Sequence, residues 1–147
     1  MIIDPDRSQS IRDDRRQRGG LKKGALFVIA GDMNADPLDG DSTMNAMDQL
    51  LNHSLINASH VPTSKGAMVA SQVQGGVNTQ HKGDAAADTA DFNDERGPGN
   101  LRIDYVLPSH QLKIKDSGVF WPEPGTLGSD WIDVSDHRLV WIDIQTS

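Results

Sequence analysis

Residues 25–42 read "ALFVIAGDMNADPLDGDS", and the reading of this stretch decides the fold. Ala25 to Ala30 is an unbroken apolar run that stops at Gly31, the pattern of a strand covered on both faces. Four aspartates follow, at 32, 36, 39 and 41, with Asn34 and Ser42 among them. Asp32, Asn34 and Asp36 match the first three ligand positions of an EF-hand calcium loop. The rest of that motif is missing: Pro37 stands where the loop needs glycine, Thr43 where it needs glutamate, and a strand instead of a helix leads in. The remaining use is a site at a strand end. There "GDMN" sets a carboxylate and a carboxamide on the same side of the chain, where the strand opens to solvent. Such a pair can take a proton from an attacking water and hold that water, or a phosphate oxygen, in line.

After the acidic run, Met44, Met47, Leu50 and Leu51 recur at helical spacing and predict a helix from Thr43 to about Asn52. Asp41 or Ser42 would cap it, and the methionines would pack in the core. Before the strand, residues 4–20 hold one large aliphatic, Ile11, and cannot bury a helical face. Residues 1–23 are therefore expected to be a mobile basic leader or a poorly anchored helix, and 24–147 the folded body. The leader carries seven Lys or Arg and four Asp, a local +3 within a net charge of -7, so the body holds -10. An acidic body argues against coating a nucleic acid, which needs a basic face. It suits a site where a divalent cation meets the phosphate. The chain has no cysteine, which excludes disulfides and thiolate metal sites. No apolar run is long enough to span a membrane. Met1-Ile2-Ile3 followed by Asp4 is no signal peptide; a secreted parent and the compartment are left open.

Residues 57–99 are rich in Gly, Ala, Ser, Asn, Thr and Asp and read as a long surface loop. His60, His81 and His110 share no ligand spacing and are expected at the surface. Strands are predicted at Leu101–Leu107, ended by Pro108, near Gly118–Trp121, and at Arg138–Ile144. Asp104 falls inside an apolar strand, where a carboxylate is costly to desolvate without a partner. Two readings stand: a sheet-edge side chain reaching solvent, or the partner of His137 in "SDHRLVW". In the second, the carboxylate would fix the imidazole's tautomer and favour its cationic form, which suits a group facing a phosphate oxyanion. Trp121 and Trp131 could stack a base or sugar, with Trp141 in the core, and Arg102 and Arg138 could meet motif carboxylates or phosphate. Asp39, Asp41 and the 88–93 loop read as turns, with a calcium or substrate contact as the alternative.

"GDMN" at 31–34, "RIDYVLPS" at 102–109 and "SDH" at 135–137, in this order and each at a strand end, resemble the endonuclease/exonuclease/phosphatase superfamily, whose fold is like that of DNase I. The resemblance implies an α+β chain: the C-terminal half of an αββα sandwich, one mostly antiparallel or mixed sheet with helices on one face. It also implies roles. Asp32 would orient or deprotonate the nucleophilic water, Asn34 would contact the scissile phosphate, and Asp104 would support His137 as the catalytic histidine facing the phosphate. Asp136, with Asp32 and Asn34, would contribute to a site for Mg2+ or Mn2+, with Ca2+ as an alternative. The substrate would be a phosphate ester: nucleic acid, a small phosphorylated molecule or a lipid head group.

The pattern departs from the family in its first half. The glutamate of a Gln-Glu motif, a principal metal ligand there, has no counterpart; Glu95 and Glu123, the chain's two glutamates, lie in no such motif. A half sandwich is expected to leave an apolar sheet face uncovered. A truncated gene, a split protein with a missing N-terminal half, or a homodimer closing sheet on sheet would each account for it. A non-catalytic half-domain that binds a metal or a partner is the alternative function.

Overall fold

The computed structural model of the chain describes residues 10–43 and 45–145. The first nine residues of the expected leader and Met44 of the expected helix lie outside the described residues. The elements run β1 (Val28–Asp32), α1 (Asp48–Leu51), α2 (Lys65–Gln74), β2 (Ala90–Asp91), β3 (Asn100–Leu101), β4 (Asp104–Pro108), β5 (Lys113–Phe120) and β6 (Leu139–Gln145), with 3-10 turns at Gly76–Gln80, Ala85–Ala87 and Ser129–Val134. The class is α+β. The strands pair antiparallel as β1 with β4, β2 with β3, and β5 with β6.

The β1–β4 register runs from Val28 opposite Pro108 to Asp32 opposite Asp104. Alternation therefore puts Ile29 with Tyr105 and Leu107 on one face, where Ala35, Met47, Leu50, Leu51 and Ile56 close a core over them. The opposite face carries Val28, Ala30 and Asp32, all exposed. Coverage on both faces was expected of this strand; α1 and its flanking turns cover only one. The same openness recurs on the β5–β6 pair, where Leu139, opposite Phe120, is 67% exposed. Trp141, expected in the core, instead lies half-open over Gly118, where a Cβ would come within 2.9 Å of its ring.

Several predicted elements change. The 43–52 helix shrinks to α1, because Asn45 adopts a left-handed φ of 71° that no right-handed helix can contain. Neither expected cap acts: Ser42 Oγ donates to Asp36 O, and Met47 occupies the N-cap without a side-chain bond. The single 101–107 strand is split into β3 and β4. Arg102 N is taken by Asp36 Oδ2 at 2.8 Å and Ile103 N by Thr89 Oγ1 at 3.0 Å, so side chains use the amides a ladder would need. From residue 10 the leader is not helical: it doubles back through a bridge between Arg12 and Arg18, with its arginines exposed.

The largest correction concerns 57–99, which is not a surface loop. It contains α2, capped by Ser64 Oγ on Ala67 N, and buries Ala67, Ala87, Thr89 and Ala90. Ser64 Oγ also donates to Trp121 O, and Gly66 lies so close that a Cβ there would sit 2.0 Å from that oxygen. Small residues here serve close packing, not chain flexibility. Among the described residues no helix is long and apolar enough to cross a membrane.

Candidate active site

β1 delivers Asp32 at its open end. Asp32 Oδ1 accepts Asn34 N at 2.7 Å, a turn that sends Asn34 to a left-handed φ of 51° and leaves its side chain exposed. The turn is anchored from below. Met33 N donates to Ile103 O at 2.8 Å, and the Tyr105 hydroxyl sits between Arg102 O at 2.7 Å and Ala35 O at 3.0 Å. Burial pushes the Tyr105 pKa up, so the phenol keeps the proton these carbonyls share. Asp36 is buried and caps Leu38 N and Asp39 N, while Asp39 accepts Lys82 N and Gly83 N at 2.8 Å. Asp36 and Asp39 thus tie the corner together.

Across the strand pair, His137 Nδ1 lies 3.0 Å from Asp104 Oδ2 and 3.2 Å from Oδ1. An ionised carboxylate only accepts, so Nδ1 carries the proton and Nε2 is directed away from Asp104. Asp104 is therefore a partnered carboxylate, not a sheet-edge group. Burial lowers the His137 pKa, but the hydrogen bond from Asp104 and the charges of Asp104, Asp32 and Asp136 outweigh it, and the net shift is upward. Those contributions place Asp32, Asp104, Asp136 and His137 in one electrostatic neighbourhood. The imidazole is about one-third exposed and meets Phe92 edge-on at 6.2 Å.

The 135–138 segment is held by residues the sequence reading passed over. Asp91 N donates to Asp136 O and Arg138 N to Thr89 O, so this segment pairs with β2, with Ala90 bridging to His137. Arg138 is buried, lies 4.4 Å over the Trp121 ring and pairs with Asp91 Oδ2 at 3.0 Å. Asp91 Oδ1 accepts Gln74 Nε2, and Gln74 Oε1 accepts Asn100 Nδ2. Arg138 thus meets neither a motif carboxylate nor open surface, and Trp121, 3% exposed, cannot stack a ligand. Arg102 lies over Tyr105 at 4.8 Å, half-buried. Trp131 remains exposed. His60 and His110 are at the surface as expected, and His81 is half-buried. The 89–91 segment gave no periodic signal: residues 87–90 are buried in an unbroken run, in a stretch of loop-like composition.

Two depressions flank the site. One, of about 650 Å3, is lined by Asp91, Asp94, Glu95, Asp133, Asp136 and Arg138, together with Phe92 and Ile132. The other, of about 270 Å3, includes Asn34, Asp36, Asp39 and Asp41. Nearby, Asp88 is 6% exposed; burial first, then Asp36, Asp39 and Asp84, push its carboxyl up to about 7.

The hard-oxygen chemistry of Asp32, Asn34 and Asp136 is of the kind Mg2+, Mn2+ and Ca2+ accept. Among the described residues, however, no three His, Asp or Glu are grouped to hold a metal ion. No curated protein and no solved structure gives a significant match to this chain. The model of the endonuclease/exonuclease/phosphatase family matches residues 2–137, ending on the histidine of the Asp104 pair. Members of that family are generally hydrolytic and typically use divalent metals. The chain belongs to the endonuclease/exonuclease/phosphatase family.

Proposed function

We propose that this chain carries the water-activating and phosphate-facing side of a metal-dependent phosphoesterase of nuclease or phosphatase type. The observation that carries the reading is the 3.0 Å contact of His137 Nδ1 with Asp104 Oδ2, with Asp32 directly opposite Asp104 in the strand register. In this reading Asp32 takes a proton from the attacking water as the water oxygen bonds to phosphorus, the ester P–O bond breaks, and the leaving oxygen takes up a proton, balancing the one Asp32 received, to depart as the alcohol. Asn34 holds the phosphoryl oxygen or the water in line. His137, its imidazolium form favoured, faces the charge that builds on the phosphoryl oxygens. Asp136, with Asp32 and Asn34, would hold Mg2+ or Mn2+, or Ca2+, and that ion would neutralise phosphoryl charge. The substrate is a phosphate ester of a nucleic acid, a small phosphorylated molecule or a lipid head group.

The reading includes an incomplete site. The open face bearing Val28 and Ala30, and the exposed Leu139, support a half sandwich that needs a second half, from a longer chain or a second copy. Glu95 lines the larger depression together with Asp136, and Glu123 lines a separate one, so Glu95 is the candidate to complete a ligand set. The same open face also fits a second reading, a non-catalytic half-domain that binds a metal or a partner.

Hydrolysis of bis-(p-nitrophenyl) phosphate with Mn2+ or Mg2+, against EDTA and against Asp32→Asn, separates the two. The enzyme reading expects metal-dependent turnover that falls about 100- to 10,000-fold in the variant. Turnover unchanged in the variant would sink it, and turnover absent from folded wild type would mean that this chain carries half of an active site.

A further inference from the structure

We propose that Thr89 is a positioning residue for the Asp104–His137 pair: its hydroxyl aims the carboxylate that in turn sets the imidazole. The catalytic consequence rests on the phosphoesterase reading above; the geometric part does not. Thr89 is 2% exposed, and its Oγ1 accepts two main-chain donors, Ile103 N at 3.0 Å and Asp104 N at 2.9 Å. A hydroxyl has two acceptor positions and one proton. With both acceptor positions filled, the proton has two acceptors in reach, Asp104 Oδ2 at 3.0 Å and Leu101 O at 3.5 Å. Leu101 O already receives Thr89 N at 2.9 Å, and the shorter, charge-assisted bond takes the proton. Asp104 Oδ2 therefore receives hydrogen bonds from Thr89 and from His137, and the carboxylate is held against rotation from both sides.

The same residue sets the histidine's backbone. Thr89 O accepts Arg138 N at 2.7 Å, and the next residue, Ala90, bridges to His137. One buried side chain thus fixes where the carboxylate points, and its main chain fixes where the imidazole starts. The β-branch restricts Thr89 to few rotamers, so the hydroxyl does not swing away to another acceptor. Serine would keep every bond and lose only that stiffness. Valine keeps the shape but offers neither proton nor lone pair. Cysteine, a weak donor and acceptor, lies between them.

The test reads the His137 ring nitrogens by NMR chemical shift, at a pH where the imidazole is neutral, in wild type, Thr89→Ser, Thr89→Cys and Thr89→Val. Wild type and the serine variant are expected to hold the Nδ1–H tautomer. The valine variant should shift toward Nε2–H, with cysteine intermediate and standing in for valine if valine fails to fold. In parallel, kcat should fall about ten- to a hundredfold in the valine variant with KM little changed, and serine should restore it. A folded valine or cysteine variant with the wild-type tautomer overturns the proposal. Wild type without turnover in either metal means that the chain carries half of an active site, and the tautomer comparison then decides the role of Thr89; turnover that survives Asp32→Asn overturns the phosphoesterase reading instead.

Discussion

The two walls of the site are built differently. The Asp32–Asp41 wall is closed partly by its own side chains: Asp32 bonds the amide of Asn34, and Asp36 bonds those of Leu38 and Asp39, while Asp36 and Asp39 also take the amides of Arg102, Lys82 and Gly83. The opposite wall is assembled from chain segments far apart, with Thr89, Asp91, Asp104 and His137 meeting across up to dozens of residues and held by Arg138, Gln74 and Asn100. A locally closed turn tolerates loss of one side chain. A long-range network, with a buried arginine at its centre, does not.

Where the walls meet, Asp88 should give the largest effect. Its carboxyl is pushed up to about 7 in the folded chain, above the ordinary 3.8, by burial and by Asp36, Asp39 and Asp84. The folded state therefore binds the Asp88 proton more tightly than the unfolded state. That contribution is fully present below the ordinary pKa and is lost as pH rises through about 7. Asp88→Asn, followed by denaturant unfolding across pH, should be neutral in acid and more stable than wild type above neutrality. A shift of this size corresponds to at most about 4 kcal/mol. Parallel pH profiles for the two proteins would show that the walls do not press these carboxylates together.

Within the long-range wall, Arg138→Met removes the partner of a part-buried Asp91 and should cost about 3 kcal/mol in chemical unfolding. A loss below that of an ordinary surface substitution would mean the wall is not built around this pair. The smallest effect falls on the local wall. Asp32 and Asp104 stand directly opposite, and facing like charges destabilise a strand pair. Asp32→Asn should therefore raise stability by about 0.5 kcal/mol while removing turnover. A substantial loss of stability in that variant would show Asp32 to be structural, and the contrast between the walls would collapse.

The same contrast explains what could be read in advance. Asp32 and Asp104 stood out in the sequence because one sits where an apolar run ends and the other interrupts one, a conflict visible in a window of a few residues. Thr89 and Asp91 were not legible. They follow a run of alanines and an aspartate, residues equally at home in a loop and in a tightly packed seam, and only contact with β3, β4 and Arg138 distinguishes the two. The shortened helix has a similar origin: the spacing of Met47, Leu50 and Leu51 holds over α1, but the backbone at Asn45 is set by the turn before it.

By itself the sequence determined the strand-end placement of "GDMN" through the order of apolar and charged residues, while its three motifs, by resemblance, implied the α+β class and the family and offered the pairing of Asp104 with His137 as one of two readings. Tertiary structure alone decided that Thr89 donates to Asp104, that Arg138 turns inward onto Trp121, and that β1 is covered on one face only. Burial and hydrogen-bond partners are properties of the space around a residue, and that space is filled by segments its local pattern does not name.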